Sequence, residues 1–509
     1  MLPQMTFSSR RSPVVCLNGC VASSQPLASL VGVDILKKGG NAADAAVAVA
    51  AALAVTEPCS TGVGGDCFCL FYDAKTREVR GLNGSGRSPR ALSLDALERL
   101  GFSESSPPSP FHALRVTVPG AAAGWCDAVQ DFGSRKLSLG DILQPAIDLA
   151  ERGFPVAEIT AHHWEKWAKT LESAGKKLAE NFLLNSKAPK QGEVFANPLL
   201  AQTFKGVRLW EIPPNGQGIA ALIALNILEN FSVQEMGHNS ADYLHVLTEA
   251  LKLGVSDTSH YCADPEQVRV PVGGLLEKEY SRRRAGLISM EKARSSCEHG
   301  APEGGDTVYF TVVDREGNAC SFINSNYMGF GTGLAPAGCG FTLQNRGSGF
   351  SLLREHRNCV GPAKRPFHTI IPALLTAVDT GRLLCTFGVM GALMQPQGHV
   401  QVLLNMLEFG MNPQEALDAP RIFVQYNKRM QTWQLSLEEG IMEGVAKELE
   451  LRGHRVRWAV SGHDRAEFGR GQVIADGCWW DPDSYSPEQS GRVWWAGSDP
   501  RADGCAVGY

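Results

Sequence analysis

The residue with the clearest chemical promise is a threonine that opens a strand behind a linker of small and turn-forming residues. Residues 295–306 read SSCEHGAPEGGD, and Thr307-Val308-Tyr309-Phe310-Thr311-Val312-Val313-Asp314 follow as a β-branched and aromatic run. The Gly- and Pro-rich stretch is expected to be exposed and mobile, and the run after it to be a core strand. A threonine hydroxyl is a weak nucleophile at neutral pH unless a base stands beside it. Cleavage between Asp306 and Thr307 would supply one, because the freed α-amine has a reference pKa near ~8 and is partly neutral. Nucleophile and base would then belong to one residue. The competing account is a β-branched strand opener with no chemistry at all.

Other reactive residue types give no second centre. His162-His163 and His399 have no companions at metal-ligand spacing, so neither a metal nor a cofactor is expected. Gly62-Val63-Gly64-Gly65 precedes a strand instead of opening a helix, which removes a nucleotide-binding reading. The 14 cysteines follow no disulfide-framework spacing, and Cys67 and Cys69 suit alternation on a strand.

The elements that must position Thr307 are partly legible. Asn41 is a suitable N-cap for an alanine-rich buried helix over Ala42–Val55, with Asp44 in its first turn and Thr56-Glu57-Pro58 ending it. The glycine turn Thr61–Asp66 feeds a strand over Cys67–Tyr72, and a second strand over Val79–Leu82 runs into the permissive loop Asn83–Arg87. Helices dominate 136–260, including Asp141–Glu151 and Tyr243–Leu253, with a proline-glycine break over Pro213–Gly218. The Thr307 strand and a second one over Ala319–Asn324 form a hairpin across the turn Arg315–Asn318.

Seven blocks carry a resemblance that extends from about residue 15 to the last residue. GGNAADAAVAVAAALAVTEPCSTGVGGDCF, VPGAAAGW, PPNGQG, EALKLGVSD, GDTVYFTVVDREGNACSFINSNYMGFGTG, KRPFHTIIPALL and GSDPRADGCAVGY resemble the gamma-glutamyltransferase family in order and content. The resemblance implies an α+β N-terminal-nucleophile hydrolase fold, a four-layer αββα sandwich with two stacked antiparallel sheets. It implies self-cleavage into a large subunit, 1–306, and a small subunit, 307–509, that remain associated as one catalytic unit. Thr307 falls on the family's nucleophile and Ser325 on the hydroxyl residue that bonds the nucleophile's amine. Gly391 and Ala392 fall on the pair whose backbone amides form the oxyanion hole, where small residues let amides reach a tetrahedral oxyanion.

The departures from the family pattern concern the substrate pocket. Ser85 stands where gamma-glutamyl-specific members carry a carboxylate-binding arginine, and Arg87 lies two residues on, within reach of the same space. Gly349 replaces an acidic residue and Arg346 its glutamine neighbour, which opposes binding of a substrate ammonium. His368 and Thr369 replace paired serines. Arg87, Asn345, Arg346, His368 and Thr369 are therefore the expected substrate-binding group. The pattern is similar to the cephalosporin-acylase-like branch of the family. It implies a gamma-glutamyl compound such as glutathione, or a related acyl amide, as substrate, and water or an amine as acceptor. A relative that keeps the fold as a non-catalytic binding protein is the alternative.

Composition bounds the partners. A net charge of −5 with 20% charged and 44% hydrophobic residues gives no electrostatic footprint for nucleic acid or an anionic membrane. No apolar run reaches the ~20 residues of a membrane span, and the first 33 residues lack a signal-type apolar stretch. With the scattered cysteines, this leads to the expectation of a cytoplasmic protein with free thiols.

Overall fold

The computed structural model describes residues 9, 11–175, 179–206, 219–261, 263–264, 267–268, 270–293, 306–427, 431–481 and 493–509. The linker expected over 295–306 lies outside them except for the backbone of Asp306, as does the break at 213–218. The strands are β1 (Val14–Cys16), β2 (Cys20–Ser23), β3 (Asp66–Asp73), β4 (Glu78–Gly84), β5 (Phe154–Pro155), β6 (Val194–Phe195), β7 (Asp306–Val313) and β8 (Ala319–Tyr327). They continue as β9 (Ala373–Thr376), β10 (Leu383–Met390), β11 (Ile422–Asn427), β12 (Thr432–Glu438), β13 (Val456–Val460), β14 (Arg470–Asp476), β15 (Trp494–Ser498) and β16 (Cys505–Gly508).

Two antiparallel sheets organise them. One has the order β16-β2-β7-β8-β3-β4, the other β1-β15-β14-β10-β9. They pack face to face through β7 against β10 and β14. A smaller sheet, β11-β12-β13, contains the parallel pair β12/β13, which the sequence pattern did not reveal. The six-stranded sheet draws β2, β3 and β4 from before residue 306 and β8 and β16 from after it, so the two parts of the chain are interleaved in one hydrogen-bonded layer.

Helices α1 (Pro26–Lys37) and α2 (Ala42–Thr56) lie against this sheet, and the helix Met394–Leu407 lies against β10 of the other. Every residue of α2 is buried. Alanine and valine keep it thin enough to be enclosed by α1, the helix Leu139–Arg152 and β7 at once. At the crossing of α1 and α2, a Cβ on Gly32 would stand 2.6 Å from Val49 Cγ2, so only glycine fits. Asn41 Oδ1 accepts from the amides of Ala43 and Asp44, and Asp44 Oδ2 accepts from the amide of Asn41, all at 3.1 Å. This is the reciprocal capping arrangement that satisfies orphan amides at a helix start.

The β7–β8 turn completes the same helix end. Asp314 Oδ2 accepts from the Ala42 amide at 3.0 Å, while its Oδ1 accepts from the amides of Gly317 and Asn318 at 2.9 Å each. One carboxylate thus fixes the hairpin and ties it to α2. Asn41→Ala removes two capping bonds and the 2.6 Å bond from Asn41 Nδ2 to the Phe132 carbonyl. It is expected to lower stability by about 1–2 kcal/mol, read as a lower denaturant midpoint at unchanged slope.

Candidate active site

Thr307 sits one residue into β7 at a local irregularity of the hairpin. Asp306 pairs with Tyr327 and Val308 with Asn324, so Ser325 and Asn326 together oppose the single residue Thr307. A bulge of this kind re-aims side chains. Thr307 Oγ1 donates to Ser325 Oγ at 3.0 Å, and both residues are buried. The Tyr327 amide, at a positive φ of 76°, and Arg346 Nη2 also donate to Ser325 Oγ, at 2.9 and 3.2 Å. Ser325 therefore meets the hydroxyl of Thr307 in this continuous chain.

Behind Ser325 lies a buried carboxylate that sequence reasoning did not single out. Asp66 opens β3 directly opposite Ser325 on β8. Its Oδ1 accepts from Gln344 Nε2 at 2.7 Å and from the Gly86 and Gly120 amides at 3.0 and 3.3 Å. Its Oδ2 accepts from His368 Nε2 at 2.9 Å and faces Arg346 Nε at 3.9 Å. The only sequence signal was a charged residue at the head of an otherwise apolar strand. The glycines before Asp66 are required by space: a Cβ on Gly65 would stand 2.4 Å from the Ser325 carbonyl oxygen, and one on Gly64 2.0 Å from that of Thr342.

Arg346, expected in a substrate pocket, is wholly buried. Its Nη1 donates to Thr369 Oγ1 at 2.7 Å and its guanidinium lies 4.5 Å from the Tyr327 ring centre. Burial pulls it down to about 10, which leaves it charged at neutral pH. His368 is buried as well; its Nδ1 accepts from the Ile370 amide at 3.4 Å while Nε2 serves Asp66. Burial, reinforced by the charge of Arg346, brings His368 down to about 4 against the pull of Asp66. A neutral imidazole with both nitrogens engaged is a structural strut, not a free base. Asn345 holds the loop after β8: its Oδ1 accepts from the Met328 amide and its Nδ2 donates to the Pro110 carbonyl, each at 3.1 Å.

Two other residues lie where the substrate carboxylate and ammonium were considered. Arg87 donates to Asp264 at 3.3 Å and to the Ala363 carbonyl at 3.0 Å, so its charge faces an internal carboxylate. Gly349 ends the turn Arg346–Gly349, where a Cβ would approach the Phe367 carbonyl oxygen to 2.7 Å. An acidic side chain has no room there.

Gly391 and Ala392 follow β10 directly. Across the two sheets, Thr311 Oγ1 lies 2.7 Å from Thr386 Oγ1, and Gly388 abuts the Tyr309 ring. Gly391 at φ 127° and Ala392 at φ 49° turn the chain sharply into the helix Met394–Leu407. Both residues line a cavity of about 530 Å³. The terminal segment holds this turn from behind. Asp499 accepts from the Gly471 amide at 2.8 Å and pairs with Arg421 at 2.7 Å and Arg501 at 3.0 Å. Burial alone would raise the Asp499 carboxyl, but the two arginines hold it at about 2. No group of three metal-ligating side chains occurs among the described residues, and no helix among them is long and apolar enough to cross a membrane.

The chain is similar to known proteins over most of its length. The sequence pattern of the family described as Gamma-glutamyltranspeptidase matches residues 28–208 and 203–509. The chain is 34% identical to the glutathione hydrolase-like YwrD proenzyme of Bacillus subtilis (strain 168), over 96% of this chain and 98% of that protein. It is 31% identical to the acylase ACY 1 proenzyme of Pseudomonas sp. (strain V22), over 88% and 89% of the two. The crystal structure of cephalosporin acylase from Bacillus halodurans superposes with a TM-score of 0.86 at 36% identity, covering 100% of this chain and 99% of that one.

The buried histidine gives a stability prediction whose sign is fixed. Its folded value, about 4, lies below the ~6.5 of an exposed imidazole, so the unfolded chain binds more protons between the two. The contribution of His368 is complete above pH ~6.5 and is lost as pH falls toward 4, at up to ~1.4 kcal/mol per pH unit. His399 and His454, both brought to about 3 by burial, steepen the same loss. Thermal midpoints measured from pH 7.5 to 4 are expected to fall steadily. In His368→Gln, which keeps a donor for Asp66, the slope should be shallower.

Proposed function

The chain belongs to the gamma-glutamyltranspeptidase family, whose matched relatives include glutathione hydrolases and acylases, and we propose that it is a self-cleaving amide hydrolase with Thr307 as nucleophile. The observation that carries the proposal is the Thr307–Ser325 hydrogen bond at the irregularity that opens β7. The helices outside the two stacked sheets support reading the architecture as the four-layer sandwich of N-terminal-nucleophile hydrolases. Interleaving in the six-stranded sheet explains how 1–306 and 307–509 would stay together after the cut.

In the proposed cycle the neutral α-amine of mature Thr307 takes the Oγ1 proton as the oxygen attacks the amide carbonyl. The Gly391 and Ala392 amides receive the oxyanion, a contribution of about 3–4 kcal/mol per donor in comparable sites. The resulting ammonium returns the proton to the departing nitrogen as the C–N bond breaks, leaving an ester on Thr307. Water then gives a proton to the amine and attacks the ester. Carboxylate leaves, and Oγ1 is reprotonated. An acceptor amine in place of water would yield a transferred acyl group. The acyl group we favour is gamma-glutamyl or a related gamma-linked acyl chain. By the family resemblance Gly349 and Arg346 replace the acidic residue and the glutamine that receive a substrate ammonium, so no carboxylate is offered at those positions, which favours acyl groups that lack the α-amine.

Purified wild type is expected to run as two fragments on denaturing electrophoresis, the smaller beginning at Thr307, while Thr307→Ala remains one chain without amidase activity. An uncut wild type, or a mutant that still cleaves and turns over, sinks the assignment. Hydrolysis of glutaryl amides at rates equal to gamma-glutamyl amides would support the acylase preference, and strict dependence on the α-amine would overturn it.

Arg346 generates a separate expectation. Its guanidinium contacts the serine that contacts Thr307, so its charge disfavours the ammonium form of the nearby amine. Arg346→Gln should therefore raise the amine pKa and move the acid limb of kcat/KM upward by about half to one pH unit. An unmoved limb would place Arg346 in a purely structural role.

A further inference from the structure

Met390 stands where the two sheets and the turn Gly391–Ala392 come together. It ends β10, and the chain bends at the next residue, Gly391. Its buried side chain belongs to a cluster with Phe68 of β3, Tyr309 of β7, Ile323 of β8 and Ile370. One residue thus joins the hairpin that carries Thr307 through its side chain and begins the turn with its backbone.

Arg470 is the cross-strand partner of Met390 on β14. Its Nε donates to Met390 Sδ at 3.4 Å. Gly469 lies so close that a Cβ there would stand 2.2 Å from the Met390 carbonyl oxygen, and a Cβ on Gly391 would lie 3.1 Å from the Gly469 Cα. The peptide group that opens the turn is therefore pressed against Gly469 and Arg470. Arg470 is itself anchored, for its Nη1 donates to Glu57 Oε1 at 2.9 Å and both side chains are buried. Glu57 also accepts from the Ser60 hydroxyl at 2.9 Å, the Ser24 hydroxyl at 2.7 Å and Gln25 Nε2 at 3.4 Å. Well-packed apolar residues are often as stabilising as a buried ion pair. What the guanidinium adds at this place is a donor with a fixed direction, aimed at the residue that begins the turn.

We propose that Arg470 is a positioning residue for the amide-hydrolase reaction. Braced on Glu57, it holds Met390 so that the Gly391 and Ala392 amides stay aimed at the oxyanion formed when Thr307 attacks. Donors of this kind act by being fixed in advance where charge develops, and they lose that effect when they drift. Glu57 belongs to 1–306 and Arg470 to 307–509, so after self-cleavage one subunit braces the donors that the other presents. The inference rests on Thr307 as nucleophile and on Gly391–Ala392 as the donor pair.

The test separates aim from stability with three chains: wild type, Arg470→Met, and Arg470→Met combined with Glu57→Gln. Arg470→Met strands a buried carboxylate and should melt at a clearly lower temperature. The double variant removes both charges and should regain most of that loss. Its kcat on whichever acyl amide the wild type hydrolyses, counted per cleaved chain, should still be about 30-fold down with KM within about 2-fold, short of the roughly 10²–10³-fold cost of losing a donor outright. Hydrogen exchange gives a readout that needs no turnover. The amides of Met394 and Gln395 close the turn on the Gly391 and Ala392 carbonyls at 2.8 and 3.3 Å. In the double variant they should exchange about 5-fold faster than in wild type, in cut and uncut chain alike, with β12 unchanged. A double variant with wild-type kcat, or with wild-type exchange at the turn, overturns the positioning role and leaves Thr307 as nucleophile. A wild type that turns over no acyl amide, or activity that survives Thr307→Ala, overturns the underlying reading, and the positioning role falls with it.

Discussion

The buried carboxylate of Asp66 is the constraint around which the site is built. A charge taken out of water must be met by donors or it destabilises the fold heavily. Asp66 is met by Gln344 and His368 side chains and by two glycine amides, with Arg346 alongside. Those donors come from four separate stretches of chain, so satisfying one carboxylate fixes the loop after β4, the segment at Gly120, the loop after β8 and the segment before β9 in relation to β3. Arg346, held in this way, has its remaining nitrogens available for Ser325 and Thr369. The position of the Thr307 hydroxyl is therefore several bonds removed from its cause.

A second constraint comes from how closely the two sheets approach. Small or hydroxyl-bearing residues occupy the contact, Gly388 against the Tyr309 ring and Thr311 against Thr386, and within the six-stranded sheet Tyr309 Oη is held by Ser321 Oγ at 2.7 Å. Buried hydroxyls that bond one another add register to what would otherwise be a slippery apolar contact. Register matters here because Thr307 and Gly391 belong to different sheets. A shift of one residue would turn the Thr307 side chain to the opposite face.

The same logic runs to the end of the chain. Asp499 and Arg501 sit with Arg421, Glu438 and Arg465 in a buried charge cluster, and Asp499 also takes the Gly471 amide. Gly471 and Arg470 pair with Val389 and Met390, the last residues before the Gly391 turn. Arg470 in turn donates to Glu57 at the end of α2 at 2.9 Å. The segment after β15 and the end of α2 thus converge on the strands that lead into the same turn, although they are hundreds of residues apart in sequence.

What the sequence determined was local. Asn41 and the alanine run specify a capped, fully buried helix, observed as Ala42–Thr56 against an expected Ala42–Val55. Alternation and turn residues specify the β7–β8 hairpin, and the resemblance placed Thr307, Ser325, Gly391 and Ala392 as the residues to examine. Periodicity and turn chemistry operate over a few residues, so they can be read directly. Tertiary structure decided what each polar side chain meets. Arg346 and His368 looked like pocket residues because charge and imidazole usually face solvent, yet both are enclosed around Asp66. Asp66 itself passed for part of a glycine turn, and Arg87 faces Asp264. The aromatic cavity beside Gly391 was equally hidden, since its walls come from residues 162–167, 423–425 and 457–467. Partners of buried charges are chosen by chain segments that meet only in the fold, and no pattern along one segment encodes them.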